Sequence, residues 1–228
     1  MRSSGLRFVV LGAALLTVAA CTERTGEGAL AGVRLQPPYV GSAVCAECHG
    51  EAYRAWQGSL HAWALGEARP GAALASFVGT EILSGRGEQI RAVRSGEKLG
   101  FEIAGGGGEA MRFESVGFLG RRQIEQHLVL LPGGRIQALP AGFDTERGEW
   151  FDIFGGEPRA PGDWGHWTGP GMTANSQCLY CHTTGYDKGY VPARDEYETR
   201  FAEAGVGGEE CPGPGEAHVA ARHSGAPG

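Results

Sequence analysis

One five-residue pattern occurs twice in the chain, and its residue types can attach a metal cofactor covalently. The pattern is Cys-x-x-Cys-His, which reads CAECH at 45–49 and CLYCH at 178–182. Two thiols separated by two residues can each form a thioether with one vinyl group of a haem, and the adjoining histidine then supplies an iron ligand. The pattern predicts two haem c groups, attached through Cys45, Cys48, Cys178 and Cys181 and ligated by His49 and His182.

A low-spin haem iron takes a second axial ligand, and a second histidine is the usual protein choice in chains with several haems. Five further histidines are available for this role, namely His61, His127, His166, His218 and His223. His61 lies 12 residues after His49. Twelve residues of continuous helix rise about 18 Å, which is too far for two imidazoles on one iron. We therefore expect His61 to ligate the haem of another motif.

Sequence context separates the other candidates. His166 stands between two tryptophans in the glycine-rich stretch WGHWTG, which suits close approach to a flat ring, and we predict that it is a second distal ligand. For His61 and His166 alike, the alternative is a surface or hydrogen-bonded residue. His127 in EQHLVLL fits a β-strand, where packing is the expected role, and His223 near the end of the sequence is expected to be solvated.

The N-terminal sequence is typical of an exported lipoprotein. A short basic segment precedes an apolar run of 13 residues, FVVLGAALLTVAA. This run is shorter than the roughly 20 residues of a spanning helix and fits the core of a secretory signal. Small residues directly before Cys21 resemble a bacterial lipobox, which predicts a signal peptide over 1–20 and a lipid anchor on Cys21. An ordinary signal peptide beside a coincidental cysteine is the alternative.

Other uses of the paired cysteines fit less well. A zinc ribbon also takes two Cys-x-x-Cys knuckles, usually about 15 to 20 residues apart, whereas about 130 residues separate these two. A thioredoxin-like pair would be single and would lie near a β-α-β unit, of which the sequence shows no sign. Export favours disulfides, but an odd number of cysteines remains once Cys21 is set aside.

The elements that must position these motifs are short. Apolar and aromatic residues recur at spacings of three and four from 42 to about 65, which predicts helix around the first motif. Short β-leaning segments with glycine-rich joints follow, which predicts an antiparallel insertion of four to six strands with LPGGR as a hairpin turn. A further helix is predicted over 193–205 from Tyr197 and Phe201 at i, i+4. The fold class is therefore α+β.

Several of these stretches resemble the multihaem c-type cytochromes related to the tetrahaem cytochrome of the ammonia-oxidation pathway. YVGSAVCAECHGEAYRAWQGSLHAWAL is similar to that family's first haem segment, in which the later histidine, here His61, ligates iron. LPGGRIQALPAGFD, HWTG and SQCLYCHTTGYDKGY resemble later blocks. The resemblance implies short haem-binding helices and irregular loops around a haem core. The predicted organisation is a signal peptide over 1–20, a flexible tether over 21–38 and a multihaem cytochrome c domain over 39–228. A β-rich insertion occupies 70–155 of that domain.

The family's third motif, Cys-x-x-Cys-His-Gly-Pro-Gly-x-x-His, is incomplete in this chain. In the segment 208–218, Gly208 replaces the first cysteine and Pro212 replaces the proximal histidine, while Cys211, the Gly-Pro-Gly turn and His218 are retained. The resemblance therefore implies a haem site that has lost one thioether and its iron ligand. A third haem is expected only if Cys211 attaches one. His218 either reaches the haem of another motif as a metal ligand or is solvated.

Electron transfer in the cell envelope is the function that these features predict, with a carrier favoured over a catalyst. The alternative is a haem enzyme or gas-binding protein that acts on small nitrogen oxides or oxygen at an open haem site. The formal net charge of −6 lacks the basic excess of nucleic-acid-binding proteins. It favours redox partner proteins with a basic docking face, and the membrane is reached through the N-terminal lipid.

Overall fold

A computed structural model describes residue 30 and residues 38–83, 88–105 and 109–225. The predicted signal peptide, Cys21 and nearly all of the predicted tether lie outside these residues. The helices are α1 Ser42–Cys45, α2 Gly50–Gln57, α3 Ala174–Gln177, α4 Leu179–His182 and α5 Glu216–His223. The strands are β1 Leu65–Gly66, β2 Val78–Leu83, β3 Gln89–Ser95, β4 Lys98–Ala104, β5 Met111–Leu119, β6 Ile124–Leu131, β7 Arg135–Asp144, β8 Glu149–Asp152, β9 Thr183–Thr184, β10 Tyr190–Val191, β11 Glu196–Tyr197 and β12 Glu203–Ala204.

A single antiparallel sheet occupies the middle of the chain. Strands β2 to β8 pair in sequence order, and β1 pairs with β5, so the sheet is larger than the four to six strands predicted. Neighbouring strands in this order are joined by hairpins because antiparallel strands need only short connections. The predicted α+β fold class is confirmed: a few short helices are combined with this large antiparallel sheet.

The predicted hairpin at LPGGR is confirmed. Strands β6 and β7 pair from Leu131 and Arg135 outward, and a short 3-10 turn at Pro132–Gly134 joins them. Gly133 and Gly134 both have a positive φ, of 73° and 69°, a region that glycine enters without a steric penalty. A side chain at Gly134 would also meet the carbonyl oxygen of Tyr197.

The sheet encloses a buried polar network that includes His127. Its Nδ1 is hydrogen-bonded to Ser115 Oγ at 2.7 Å, and its Nε2 is hydrogen-bonded to Glu125 Oε1 at 2.9 Å. The Glu125 carboxylate also accepts the backbone N–H groups of Leu74 and Ala75. The His127 and Glu125 side chains have no exposed surface, so His127 has the packing role that its strand position predicted.

The helical pattern around the first motif forms two short helices rather than one. Helix α2 ends at Gln57 and Gly58 caps it, after which the chain turns through Ser59 and His61. The distance argument for His61 assumed a continuous helix from His49, and that assumption is wrong. Among the described residues, no helix is long and apolar enough to cross a membrane.

The helix predicted over 193–205 is wrong. Asp195 has a φ of 51°, which a right-handed helix does not accommodate. The backbone N–H groups of Arg200 and Ala202 donate to Asp187 and Thr184 instead of to the preceding turn. Phe201 is buried against the core, and this burial is made by an extended segment rather than by one face of a helix.

Candidate haem-binding site

The first Cys-x-x-Cys-His motif lies on the turn between α1 and α2. Cys45 ends α1, and the backbone N–H of His49 donates to its carbonyl oxygen at 2.8 Å. His49 is the N-cap of α2, and its carbonyl accepts the N–H of Tyr53. This compact turn keeps Cys45, Cys48 and His49 together, with Cys48 and His49 exposed.

The second motif lies on α4, directly before β9. Cys178 caps this helix, and the N–H of Cys181 donates to the Cys178 carbonyl at 3.0 Å. Leu179 is fully buried and anchors the turn in the core, while Cys181 is exposed. The two motifs therefore share an accessible second cysteine, Cys48 in the first and Cys181 in the second.

A hydrogen bond fixes the orientation of His182. Its Nδ1 lies 2.6 Å from the carbonyl oxygen of Ala64. Because a carbonyl only accepts, Nδ1 must carry the proton, and the lone pair remains on Nε2. Metal-ligating histidines commonly have this second hydrogen bond, which sets the tautomer and the direction of the ring. His182 is thus prepared to ligate a metal through Nε2.

The His218 ring lies near the His49 ring, with the two ring planes close to parallel. The two ring centres are 6.3 Å apart and the ring planes differ by 26°. Imidazole nitrogens bind metals such as zinc at about 2.0 to 2.1 Å and lie about 1.1 Å from their ring centre, so two imidazoles on opposite sides of one metal have centres about 6.3 Å apart. Both histidines are exposed. Their separation fits an iron with two histidine ligands.

Backbone hydrogen bonds place His61 beside the second motif. Its carbonyl accepts the N–H of Val206 at 2.9 Å, and the neighbouring Gly205 N–H donates to the carbonyl of His182. Trp56 Nε1 donates to the carbonyl of Val206 at 2.7 Å and braces this contact. The turn that carries His61 therefore packs on the second motif, although no described histidine ring faces His182 as His218 faces His49.

The structure places His166 in a different setting. Its ring is buried beside Trp167, and its Nδ1 accepts the N–H of Thr168. Its Nε2 lies 3.4 Å from Glu88 but makes no hydrogen bond with any described residue. Because Nδ1 accepts the Thr168 N–H, the proton lies on Nε2, which is the wrong tautomer for ligation there. These contacts fit the hydrogen-bonded alternative, and ligation by His166 stays a prediction.

Two carboxylates that the sequence analysis missed, half-buried Glu203 and buried Glu209, adjoin the first motif. Glu203 accepts the N–H and the Oγ–H of Ser42, the latter at 2.6 Å. Glu209 accepts the N–H groups of Val40 and Gly41, at 3.0 and 2.7 Å. Residue type carries no signal for this role, because most glutamates are solvated. The only hint was the position of Glu209 inside the incomplete third motif.

Their charges act on the Cys45 thiol. Burial, followed by the carboxylates of Glu209 and Glu203, raises the pKa of Cys45 above its usual range. Burial, followed by Cys181, likewise raises the pKa of Cys178. Both causes disfavour the thiolate, so these two cysteines are held as neutral thiols. In the part of the chain that the structure describes, no group of three or more His, Cys, Asp or Glu side chains is arranged to hold a metal ion.

Comparison with known proteins supports the haem assignment. The family model described as cytochrome c554 and c-prime matches residues 44–79 and 167–213. The first segment contains Cys45–His49 and His61, the second contains Cys178–His182 and Cys211, and most of the sheet lies between them. This match and the two motifs inside it support a c-type cytochrome with covalently bound haem c. No curated protein matches the chain.

Two solved structures are similar to part of the chain. The outer cell wall cytochrome OcwA is 19% identical, with 82% of this chain and 34% of that chain covered at a TM-score of 0.46. An undecahaem cytochrome from the S-layer of Carboxydothermus ferrireducens is 20% identical, with 82% and 22% covered at a TM-score of 0.42. The chain thus spans about a third or less of the length of these two proteins.

The raised thiol pKa values predict unequal reactivity of the cysteines. In the folded chain made without haem attachment, alkylation by iodoacetamide at pH 8 should be severalfold slower at Cys45 and Cys178 than at exposed Cys48 and Cys181. The thiolate is the reactive form, and a raised pKa leaves less of it. Peptide mass spectrometry measures each rate. In urea the four rates should converge, and equal rates in native buffer would contradict the prediction.

Proposed function

We propose that the chain is an electron-transfer protein with two haem c groups, each ligated by two histidines. The observation that carries this proposal is the separation of His49 and His218, which fits two imidazoles on one iron. When bound, haem c supplies one-electron oxidation and reduction. His49 and His218 would hold one haem iron, and His182 and His61 the other, which would leave neither iron open to a substrate.

His218 is presented by a helix that is tied to the first motif at several points. It lies in the first turn of α5, whose Glu216 N–H donates to the carbonyl of Pro38. At the other end of α5, His223 Nε2 lies 3.7 Å from Glu47, inside the first motif. A ligand held on such a support needs little rearrangement when the charge on the iron changes, which favours electron transfer.

For the second haem we propose His61 as the distal ligand. The support is its backbone contact with Val206 and the packing of its turn against the second motif. His182 would be the proximal ligand, since its hydrogen bond to Ala64 leaves Nε2 available. This assignment agrees with the sequence-based expectation that His61 serves a haem other than that of His49.

One observation favours a second function, a haem site that is open to small ligands. Among the described residues, no histidine ring lies opposite His182 at a separation like that of His49 and His218. The turn that carries His61 is exposed. If His61 leaves the iron, the second haem would bind oxygen or small nitrogen oxides. The chain would then be a gas-binding protein or an enzyme.

We also propose an envelope location and a protein redox partner. The N-terminal sequence supports lipid attachment at Cys21, and the formal charge of −6 supports a partner with a basic docking face. The specific relation to the tetrahaem cytochrome of the ammonia-oxidation pathway is likewise part of this proposal.

Replacing His218 tests the proposed ligand pair. His218→Ala should convert about half of the low-spin haem signal to high-spin, because one of two irons loses an axial ligand. Visible and electron paramagnetic resonance spectra measure this, with intact mass confirming two haems. Glu216→Ala is the matched control, since the Glu216 side chain is exposed on the same helix and its contact with Pro38 is made by the backbone. An unchanged spectrum in His218→Ala would overturn the proposal.

Carbon monoxide separates the two candidate functions. If His61 ligates the second iron, the reduced protein should bind no carbon monoxide, and His61→Ala should bind about one molecule per chain. If the wild type already binds it rapidly, the open-site function is supported. A matched control is Ser59→Ala on the same turn, which keeps the histidine. Difference spectra of the reduced protein measure the binding.

Lipid attachment predicts a simple labelling result. Cells that express the chain and are fed a labelled fatty acid should incorporate the label, and Cys21→Ala should abolish incorporation and release the protein from the membrane fraction. A variant that still fractionates with membranes would contradict the anchor.

Electrostatic docking to a redox partner predicts a dependence on salt. A rate of electron transfer to the partner that falls as salt is added would support such docking.

A further inference from the structure

We propose that Glu209 is the positioning residue that sets the distance between the two histidines of the first haem. Its carboxylate fastens the helix that bears His218 to the segment that leads into the first motif. This inference rests on the proposed ligand pair of His49 and His218, and it assigns a role to the incomplete third motif. Glu209 touches no reacting atom and acts only through the two ligand-bearing segments.

The hydrogen bonds of Glu209 connect the starts of two helices. Gly41, the N-cap of α1, donates its N–H to Oε2 at 2.7 Å, and Val40 donates to Oε1 at 3.0 Å. Gly215, the N-cap of α5, donates to Oε1 at 2.6 Å. Helix α1 runs into Cys45–His49 and α5 carries His218, so one side chain joins both supports of the ligand pair.

Burial makes this contact specific for a carboxylate. Glu209 is 5% exposed, and it accepts hydrogen bonds from three backbone N–H groups, of which that from Gly41 is buried. Hydrogen bonds to a charged acceptor are shorter and stronger than neutral ones. A glutamine would keep one acceptor oxygen, but it would direct an NH₂ group at one of the donors. Removing the carboxylate would leave three N–H groups to find other partners or to expose themselves by moving α5.

The local backbone places the Glu209 side chain in the interior. Gly208–Glu210 forms a 3-10 turn, and Gly208 and Cys211 on either side of the carboxylates are exposed. The N–H of Gly213 closes the turn onto the carbonyl of Glu209 at 3.1 Å. The positions between the two cysteines of a complete motif are thus used here for anchoring.

Neighbouring Glu210 serves as an internal comparison. Its carboxylate accepts the N–H of Gly185 at 3.0 Å, in the loop after the second motif. Among the described residues, the Glu210 carboxylate has no hydrogen bond to α1 or to the first turn of α5. Two adjacent glutamates therefore point to different haem motifs, and only Glu209 should influence the ligand pair of the first.

The test compares Glu209→Ala and Glu209→Gln with Glu210→Ala and His218→Ala in the haem-loaded protein. Glu209→Ala should lose about half of the low-spin signal, with the same difference spectrum as His218→Ala, and added imidazole should restore low spin in both. Amide hydrogen exchange at Val40, Gly41 and Gly215 should accelerate at least about tenfold. Glu209→Gln should be intermediate, and Glu210→Ala should keep a wild-type spectrum.

The outcomes separate this inference from the proposed function. If His218→Ala stays low-spin, the ligand pair itself is wrong, whatever Glu209 does. If His218→Ala becomes high-spin while Glu209→Ala keeps the wild-type spectrum and exchange rates, the positioning role of Glu209 is overturned. Should the alanine variant fail to accumulate, the glutamine variant decides: wild-type spin state and exchange in Glu209→Gln overturn the inference.

Discussion

Two carboxylates that accept backbone N–H groups, half-buried Glu203 and buried Glu209, hold the haem-binding segments together. Glu203 and Glu209 reach Ser42 and Gly41 across 161 and 168 residues of sequence. Helices α1 and α4 have only four residues each, so hydrogen bonds along the backbone cannot stabilise them alone. Each of these two carboxylates accepts hydrogen bonds from more than one donor. Such directional contacts can stabilise segments that bury little apolar surface. Both motifs owe their relative placement to this small set of contacts.

The sheet contributes a second constraint, because it positions the chain between the motifs. Strand β1 pairs with β5 so closely that a side chain at Gly66 would meet the ring of Phe118. The carbonyl of Ala64, directly before β1, accepts both the N–H of Gly120 and Nδ1 of His182. The proximal histidine of the second motif is therefore oriented by an atom whose position the sheet fixes. The insertion has a direct role in the site and is more than a spacer.

The cofactor could be predicted from the sequence because the chemistry of thioether formation requires a fixed local spacing. The same holds for the hairpin at LPGGR, where glycine is needed for positive φ. The conformation of 193–205 could not be predicted from the local sequence. The aromatic pair at i, i+4 is a local signal for a helix, whereas backbone hydrogen bonds to Asp187 and Thr184 determine the extended conformation that is observed. The roles of Glu203 and Glu209 could not be predicted from the sequence either, because their hydrogen-bond partners lie more than 160 residues away.

The two motifs differ in how firmly the second histidine that we propose for each is supported, and this difference bears on function. His218 projects from a two-turn helix that is tied at both ends, whereas His61 lies on an exposed turn held mainly through its backbone. A ligand on the first kind of support is preorganised, while a ligand on a turn can leave at a smaller free-energy cost. Exchange with small molecules would therefore be confined to the second haem. Electron transfer and ligand binding are then compatible in one chain, with each assigned to the motif whose support permits it.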